Sequence, residues 1–161
     1  MKALLSTIAF VIVCYVVYKQ NSESAPPLVI DSPIYGEMRA TAVFDDRELE
    51  MAVFTRASSQ ADCEARVRMD WEAALENCES CKLHEPVCRD QLAPRYARLF
   101  EDRPIPSAYL SATAGTSGER DGRLVVYGLT DEEGVAMCES LRTMVEQNYK
   151  GTLRCIAPSG G

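Results

Sequence analysis

Residues Asn77 to Cys88, which read NCESCKLHEPVC, bring three of the seven cysteines of this 161-residue chain next to its single histidine. Thiolate and imidazole groups are common ligands of zinc and of iron–sulfur clusters. A Cys-x-x-Cys pair can also act in thiol oxidation and reduction, and closely spaced cysteines can be joined as disulfides. The segment therefore allows a metal site, a redox pair or covalent cross-links, and the redox state of the compartment decides among them.

The spacing of this segment fits a metal site poorly. Cys78, Cys81, His84 and Cys88 follow the order C-x2-C-x2-H-x3-C. A ferredoxin run would have cysteine at the histidine position and proline after the last cysteine, and a zinc knuckle has longer later gaps that let the chain wrap a tetrahedral ion. These four residues define the alternative site for a metal ion or a redox pair.

Charge disfavours a catalytic role for Cys78 and Cys81. A reactive thiolate needs positive surroundings, usually a helix N-terminus. The upstream helical pattern ends at Cys78, so the negative end of the helix dipole would face the thiol. Glu76, Glu79 and Glu85 add further negative charge nearby. Disulfides are the interpretation that these residues favour.

The N-terminus indicates the compartment. The apolar run over residues 3–18 has sixteen residues, which span about 24 Å of a hydrocarbon core about 30 Å thick. Cleavage after Ala25 is disfavoured because Glu23 occupies a position that signal peptidase requires to be small. The sequence therefore predicts an uncleaved signal anchor, a transmembrane helix over residues 1–19.

The positive-inside rule places the N-terminus in the cytoplasm and the rest of the chain outside it. We expect a single-pass protein of the bacterial inner membrane, with a linker over residues 20–36 and a periplasmic domain over residues 37–161. An even number of cysteines then lies in an oxidising compartment, which predicts a disulfide framework. Its members are Cys63, Cys78, Cys81, Cys88, Cys138 and Cys155.

The exported part is acidic. Without Lys2, Lys19 and Glu23, it keeps 15 basic and 23 acidic residues, a net charge of −8. This charge disfavours nucleic acid and anionic headgroups, so membrane contact should be confined to the anchor. The sequence contains no Gly-x-Ser-x-Gly motif, phosphate loop or dinucleotide fingerprint. It therefore favours a protein without a cofactor and without catalysis.

Hydrophobic periodicity divides the domain into strands and helices. Alternation over residues 37–44 and 48–55 predicts a hairpin. Spacings of three and four residues from Cys63 to Cys78 predict a helix with a Ser59–Asp62 capping box. The other predicted elements are a short helix over 92–100, strands over 108–114, 123–128 and 152–157, and a helix capped by Thr130 and Glu133 with the apolar stripe Val135, Cys138, Leu141 and Val145.

From residue 48 onward, the predicted order is strand, helix, strand, strand, helix, strand, with a Cys-rich helical hairpin inserted after the first helix. This is the split βαβ order of an α+β, ferredoxin-like two-layer sandwich. In that topology the first strand has neighbours on both sides and cannot also pair with residues 37–44. The predicted hairpin and the predicted strand order therefore exclude each other.

One disulfide can be favoured from distances. Cys138 lies about 15 Å before the end of its helix, and Cys155 lies about 13 Å along the strand that returns antiparallel to it. Because the two are level and both face the core, we expect a Cys138–Cys155 bridge. Two unpaired buried thiols are the alternative.

The other cysteines are less constrained. A bridge from Cys78 or Cys81 to Cys88 would close the turn of the predicted helical hairpin, and Cys63 would take the remaining cysteine. A Cys63–Cys78 bridge is excluded because a straight helix would hold the two about 22 Å apart.

Residues 123–156, RLVVYGLTDEEGVAMCESLRTMVEQNYKGTLRCI, resemble the second half of a SPOR-type domain. The resemblance consists of a strand ending at Gly128, an acidic helix start at Asp131 to Glu133, Ala136 within the helix, and a closing strand. It implies a ferredoxin-like cell-envelope module that binds peptidoglycan glycan strands. It transfers no binding residue to this chain.

The sequence thus predicts a membrane-anchored, non-enzymatic cell-envelope protein whose exported α+β domain binds an envelope protein or a peptidoglycan glycan. The alternative is a membrane-tethered thiol-redox or metal-binding protein that uses Cys78, Cys81, His84 and Cys88.

Overall fold

A computed structural model describes residues 25–44, 46–75 and 81–159. The anchor predicted over residues 1–19 lies outside these ranges. Within them, no helix has both the length and the apolar character needed to cross a bilayer. The first strand begins at Ile34, inside the segment predicted as a linker.

One antiparallel sheet forms the centre of the domain. Its strands are β1 (Ile34–Phe44), β2 (Arg47–Ala57), β3 (Cys81–Leu83), β4 (Val87–Arg89), β5 (Tyr109–Thr113), β6 (Gly122–Tyr127) and β7 (Thr152–Ile156). They are ordered β3-β1-β2-β6-β5-β7, and β4 follows β3 along the same side of β1. The outer strands are therefore β3 with β4 on one side and β7 on the other.

Helices cover both faces of this sheet unequally. They are α1 (Gln60–Leu75), α2 (Pro94–Ala97), a 3-10 helix η1 (Arg98–Glu101) and α3 (Asp131–Glu146). The two long helices, α1 and α3, pack on one face around a core that includes Met38, Val53 and Leu110. The short α2 and η1 pack on the opposite face against Phe54 and Tyr109. The α+β class expected from the sequence is present.

The chain folds as two similar halves. Each half consists of a hairpin, a helix and a strand that returns to the outer side of the first hairpin strand: β1, β2, α1 and β3–β4 in the first half, and β5, β6, α3 and β7 in the second. Since β2 and β6 pair antiparallel at the centre, an approximate two-fold axis perpendicular to the sheet relates the halves. Both long helices have 16 residues.

Of the two predictions that exclude each other, the hairpin and the strand order, the structure contains the hairpin. β1 and β2 are paired from Ile34–Ala57 to Phe44–Arg47. The ferredoxin-like order expected from the sequence is wrong at the last strand, because β7 pairs with β5 and not with β2. β2 already pairs with β1 on one side and with β6 on the other. The strand that follows α3, β7, therefore pairs with the free edge of β5.

The helical hairpin predicted after α1 is also wrong. Residues 81–89 form the strands β3 and β4, which pair with β1 because its outer edge otherwise has no hydrogen-bond partner. Leu83 pairs with Ala40 and Val87 with Glu37, so three residues oppose two at this point. This is a β-bulge, a position that accommodates Pro86.

The capping box predicted for α3 is confirmed. The Thr130 side chain accepts a hydrogen bond from the Glu133 backbone, and the Glu133 side chain accepts one from the Thr130 backbone. The predicted apolar stripe needs one correction, since Val135 is 40% exposed. The buried stripe instead passes through Gly134, Met137, Cys138, Leu141 and Val145.

Candidate functional site

Two disulfides connect a long helix to an outer strand, one in each half. Cys63 in the first turn of α1 is joined to Cys88 in β4, with Cα atoms 6.1 Å apart. Cys138 in α3 is joined to Cys155 in β7, with Cα atoms 5.8 Å apart. Both helix cysteines are buried, with 0% and 3% exposure. The cross-links therefore belong to the core between helices and sheet.

One of these two disulfides matches an expected pair and the other does not. Cys138–Cys155 is the pair favoured from the sequence. The proposed bridge from Cys78 or Cys81 to Cys88 is wrong, because β4 directs the Cys88 side chain towards α1, where Cys63 meets it. Cys81 is also disulfide-bonded, whereas Cys78 lies outside the described residues.

Three members of the alternative metal or redox site, Cys81, His84 and Cys88, lie among the described residues. Cys81 and Cys88 are both in disulfides and supply no thiolate. His84 is exposed in the bulge, where its backbone N–H donates to the Arg39 carbonyl at 3.0 Å. Within the described ranges, no three His, Cys, Asp or Glu side chains are grouped so that they could hold a metal ion.

Each half supplies an arginine to the helix start of the other half. Asp62 is the third residue of α1 and accepts a hydrogen bond at 3.0 Å from Arg120, which follows β5. Glu133 is the third residue of α3 and accepts two hydrogen bonds, at 3.0 and 2.9 Å, from Arg47 at the start of β2. These reciprocal pairs connect the halves on both sides of the two-fold axis.

The two carboxylates differ in their surroundings. Burial alone would raise the pKa of Asp62, but hydrogen bonds from the Ser58 backbone, Arg66 and Arg120 hold it well below its usual range. The hydrogen bond from Arg47 lowers the pKa of Glu133 to about 2. Ser59 is uncharged and caps α1, because its Oγ accepts a hydrogen bond from the Asp62 backbone N–H at 3.1 Å. Both helices therefore begin at an ionised carboxylate.

The sheet face opposite α1 and α3 carries charged and aromatic side chains, and we call it the polar face. Its members include Tyr35, Glu37, Arg39, Phe54, Arg56, Arg89 and Arg123. The Tyr96 ring from α2 lies 4.6 Å from the Phe54 ring and covers the centre of this face. Towards β1 and its outer edge, the face is less covered.

Arg123 is structural. Its side chain is 3% exposed, its Nε donates to the Leu99 carbonyl at 2.8 Å, and its Nη2 lies 3.1 Å from Asp102. Asp102 follows η1 in the left-handed region, with φ of 51°, and also pairs with Arg154. Burial lowers the pKa of Arg123, and the Asp102 charge opposes that effect. The group anchors η1 to the sheet.

Arg39 is also well paired. It donates to Glu37 at 2.7 Å and to Glu50, and its guanidinium lies 5.0 Å from the centre of the Tyr96 ring. Burial would lower the pKa of Arg39, but the hydrogen bonds to Glu37, Tyr96 and Glu50 raise it above its ordinary value. These contacts use the donors of Arg39 within the protein.

A third group of residues on the polar face contains arginines whose N–H groups make only long contacts with carboxylates of the protein. Tyr35 in β1 is the direct cross-strand partner of Arg56 in β2 and of Arg89 in β4. Directly opposite residues in a sheet have Cβ atoms about 5 Å apart and point to the same face. We call these three residues the Tyr35 shelf. Phe100 from η1 lies beside the shelf, and the centre of its ring is 5.5 Å from the centre of the Tyr35 ring.

The outer edges offer a different kind of contact. β3 and β4 are short and separated by the bulge, whereas β7 pairs with β5 along five consecutive positions. No described strand pairs with the outer side of β7. An unprotected, regular edge can accept an extended segment through backbone hydrogen bonds.

The fold and the cross-links define an α+β domain of two ββαβ halves, each with a helix-to-edge disulfide. A comparison of the chain with protein-family models, curated proteins and solved structures finds no match. The resemblance of residues 123–156 to SPOR-type domains stays a prediction.

Proposed function

We propose that this chain is a single-pass protein of the bacterial inner membrane whose periplasmic domain binds another envelope component, a protein or a peptidoglycan glycan, without catalysis. The observation that carries the proposal is the pair of disulfides Cys63–Cys88 and Cys138–Cys155, whose helix cysteines are buried. Structural disulfides persist in oxidising compartments and are rare in the bacterial cytosol.

The disulfides Cys63–Cys88 and Cys138–Cys155 are unsuited to thiol exchange with a substrate. A catalytic disulfide has to be reached by its substrate, but Cys63 and Cys138 are enclosed between helix and sheet. Cross-links at both outer strands hold the sheet in a fixed shape. A rigid sheet binds with little loss of conformational entropy, which favours recognition.

Two surfaces fit the two partner classes. The regular edge of β7 fits an extended segment of a protein, since every second residue of an edge strand directs its backbone groups outwards. The polar face fits a glycan, because it combines aromatic rings with charged hydrogen-bonding groups. The SPOR-type resemblance of residues 123–156 supports the glycan class.

The compartment can be tested through the cysteines. The full-length chain is collected from cells under acid quench, denatured and alkylated without reductant, and its intact mass is measured. We expect one alkylated thiol, Cys14, and a protein mass six hydrogens below that of the reduced chain. A Cys155→Ser variant is the control and should carry one additional alkylated thiol.

Alkylation of all seven cysteines in chain taken from cells would contradict the proposal, because it would place the domain in a reducing compartment. A native mass with a bound metal that is lost on denaturation would instead support the metal alternative at Cys78, Cys81, His84 and Cys88.

A further inference from the structure

The Tyr35 shelf differs from the other charged groups in the strength of its ion pairs. Arg56 lies 3.5 Å from Asp121, and Arg89 lies 3.5 Å from Glu37. By contrast, Arg39 and Arg120 lie 2.7 and 3.0 Å from their carboxylates. At 3.5 Å, a charge-assisted hydrogen bond is well beyond its usual length. The two shelf arginines are therefore held loosely by the protein.

Unused donors point in the same direction. Arg56 Nε is buried and has no hydrogen-bond partner among the described residues. The side chains of Arg56 and Arg89 are 32% and 43% exposed, so their guanidinium groups are open to a ligand. A guanidinium presents its five N–H donors in a fixed fork that matches a carboxylate or a phosphate.

An aromatic surface lies between and beside these donors. Tyr35 is half-buried and occupies the middle of the row, with one arginine on each neighbouring strand. The Arg56 guanidinium carbon lies 4.5 Å from the centre of the Phe100 ring. An aromatic ring flanked by cations suits a ligand that has an apolar face and a negative charge.

The charge of the domain narrows the class of ligand. The exported part carries a net charge of −8, so the domain as a whole would be repelled by an anionic membrane surface. A small anionic group on a neutral polymer would meet Arg56 and Arg89 and would compete with the carboxylates of Asp121 and Glu37, which lie 3.5 Å from them. A sugar ring provides the apolar face for Tyr35, and a carboxylate on that ring provides the negative charge.

We propose that the Tyr35 shelf binds a carboxylate-bearing sugar, with the sugar ring against Tyr35 and its carboxylate between Arg56 and Arg89. The inference rests on the proposed function and commits it to the glycan class. Peptidoglycan contains such a sugar wherever a glycan strand carries no stem peptide, because the muramic acid carboxylate, which the neighbouring glucosamine lacks, is then free.

The test uses the full-length chain in detergent and sedimentation with purified peptidoglycan sacculi from which an amidase has removed the stem peptides. N-acetylmuramic acid and N-acetylglucosamine are then compared as competitors. We expect the carboxylated sugar to release the protein at a concentration about tenfold lower, since a hydrogen bond to a charged group contributes enough free energy for that factor.

Three variants locate the site. Arg56→Gln and Arg89→Gln should each weaken sedimentation about tenfold, and Tyr35→Leu should weaken it similarly by removing the ring surface. Arg142→Gln is the matched control, because Arg142 is also a half-exposed arginine with carboxylate partners but lies on α3, away from the polar face. Circular dichroism establishes that each variant is folded.

Three results would overturn the inference. The first is equal release by both sugars, the second is unchanged binding of the arginine variants, and the third is arginine-dependent binding to vesicles of anionic phospholipid in place of sacculi. None of these alters the cysteine masses that test the proposed function. A failure of the shelf and a failure of the envelope assignment are therefore distinguishable.

Discussion

The two halves of the domain place the same cross-link differently. Cys63 is the fourth residue of α1, and Cys138 is the eighth residue of α3, so the bridges differ by about one helical turn. In the second half, the fourth position is Gly134, where a Cβ atom would lie 3.4 Å from the Cβ of Ala108. In the first half, Cys63 faces Gly36. The topology thus requires one small residue at this contact, and either the helix or the strand can supply it.

The outer strands show a second difference. The first half has an outer strand of two three-residue segments separated by a bulge, whereas the second has one regular strand of five residues. We infer that the disulfide of the first half holds a strand that its few backbone pairs would not hold alone. In the second half, the disulfide adds to a ladder that is already continuous.

Removing each disulfide gives the largest expected effect. Cys63→Ala with Cys88→Ala and Cys138→Ala with Cys155→Ala should each lower the free energy of unfolding by about 3 kcal/mol, because loops of 25 and 17 residues are freed in the unfolded chain. Urea denaturation measures this loss. Hydrogen exchange should become fast over residues 81–89 in the first variant, while β7 stays protected in the second. Equal exchange in both outer strands would contradict the difference between the halves.

The reciprocal arginines should contribute unequally. Arg120 and Asp62 have side chains only 9% and 18% exposed, so Arg120→Gln should lower the free energy of unfolding by about 2 kcal/mol. Arg47 and Glu133 are 42% and 39% exposed, so Arg47→Gln should cause no change outside experimental error. Chemical denaturation of the two variants side by side makes the comparison. A larger loss in Arg47→Gln would show that exposure does not set their contributions.

The small-residue contact gives an intermediate effect of opposite sign in the two halves. A Cβ atom on Gly36 would lie 2.8 Å from Val67 and from Thr55, so Gly36→Ala should destabilise the domain by about 1 kcal/mol through overpacking. Gly134→Ala has ordinary contact distances and should be neutral or stabilise by up to about 1 kcal/mol through helix propensity. Thermal unfolding distinguishes the two. A stabilising Gly36→Ala would mean that the α1 contact is loose.

Acidification should have the smallest effect. The pKa of Glu133 is lowered to about 2 from the ordinary 4.5, and the pKa of Asp62 is also lowered. A carboxylate with a lowered pKa contributes stability above its ordinary pKa and loses that contribution as the pH falls towards its folded value. The free energy of unfolding should therefore decrease from about pH 4.5 to pH 2. The decrease should be shallower in Arg120→Gln, and an unchanged slope there would remove Asp62 from the explanation.

Local features of the fold could be read from the sequence. The Thr130–Glu133 capping box and the hairpin of β1 and β2 depend on residues close in the chain. The position of β7 did not follow, because it depends on which strand occupies the edge of β2. The strand character of residues 81–89 was missed for the same reason. It arises from the unpaired edge of β1 more than from the segment itself.

The candidate site was missed because it is a product of strand register. Tyr35, Arg56 and Arg89 come from three separate strands, and only their pairing places them in one row. The alternation of Tyr35, Glu37 and Arg39 would have indicated a polar face on β1. The conspicuous cysteines drew attention to residues 77–88, where Cys81 and Cys88 are disulfide-bonded.

The pairing of Cys63 with Cys88 has a consequence for how the protein matures. Cys78 and Cys81 lie between these two cysteines in the chain, whereas no cysteine lies between Cys138 and Cys155. Under the export that we propose, an oxidase that joined thiols in their order of emergence from the membrane would form the native bridge of the second half directly. In the first half it would join Cys63 to the wrong partner, and thiol–disulfide exchange would have to correct the error. The yield of native protein in the envelope should therefore depend on a disulfide isomerase, and that dependence should come from the first half alone.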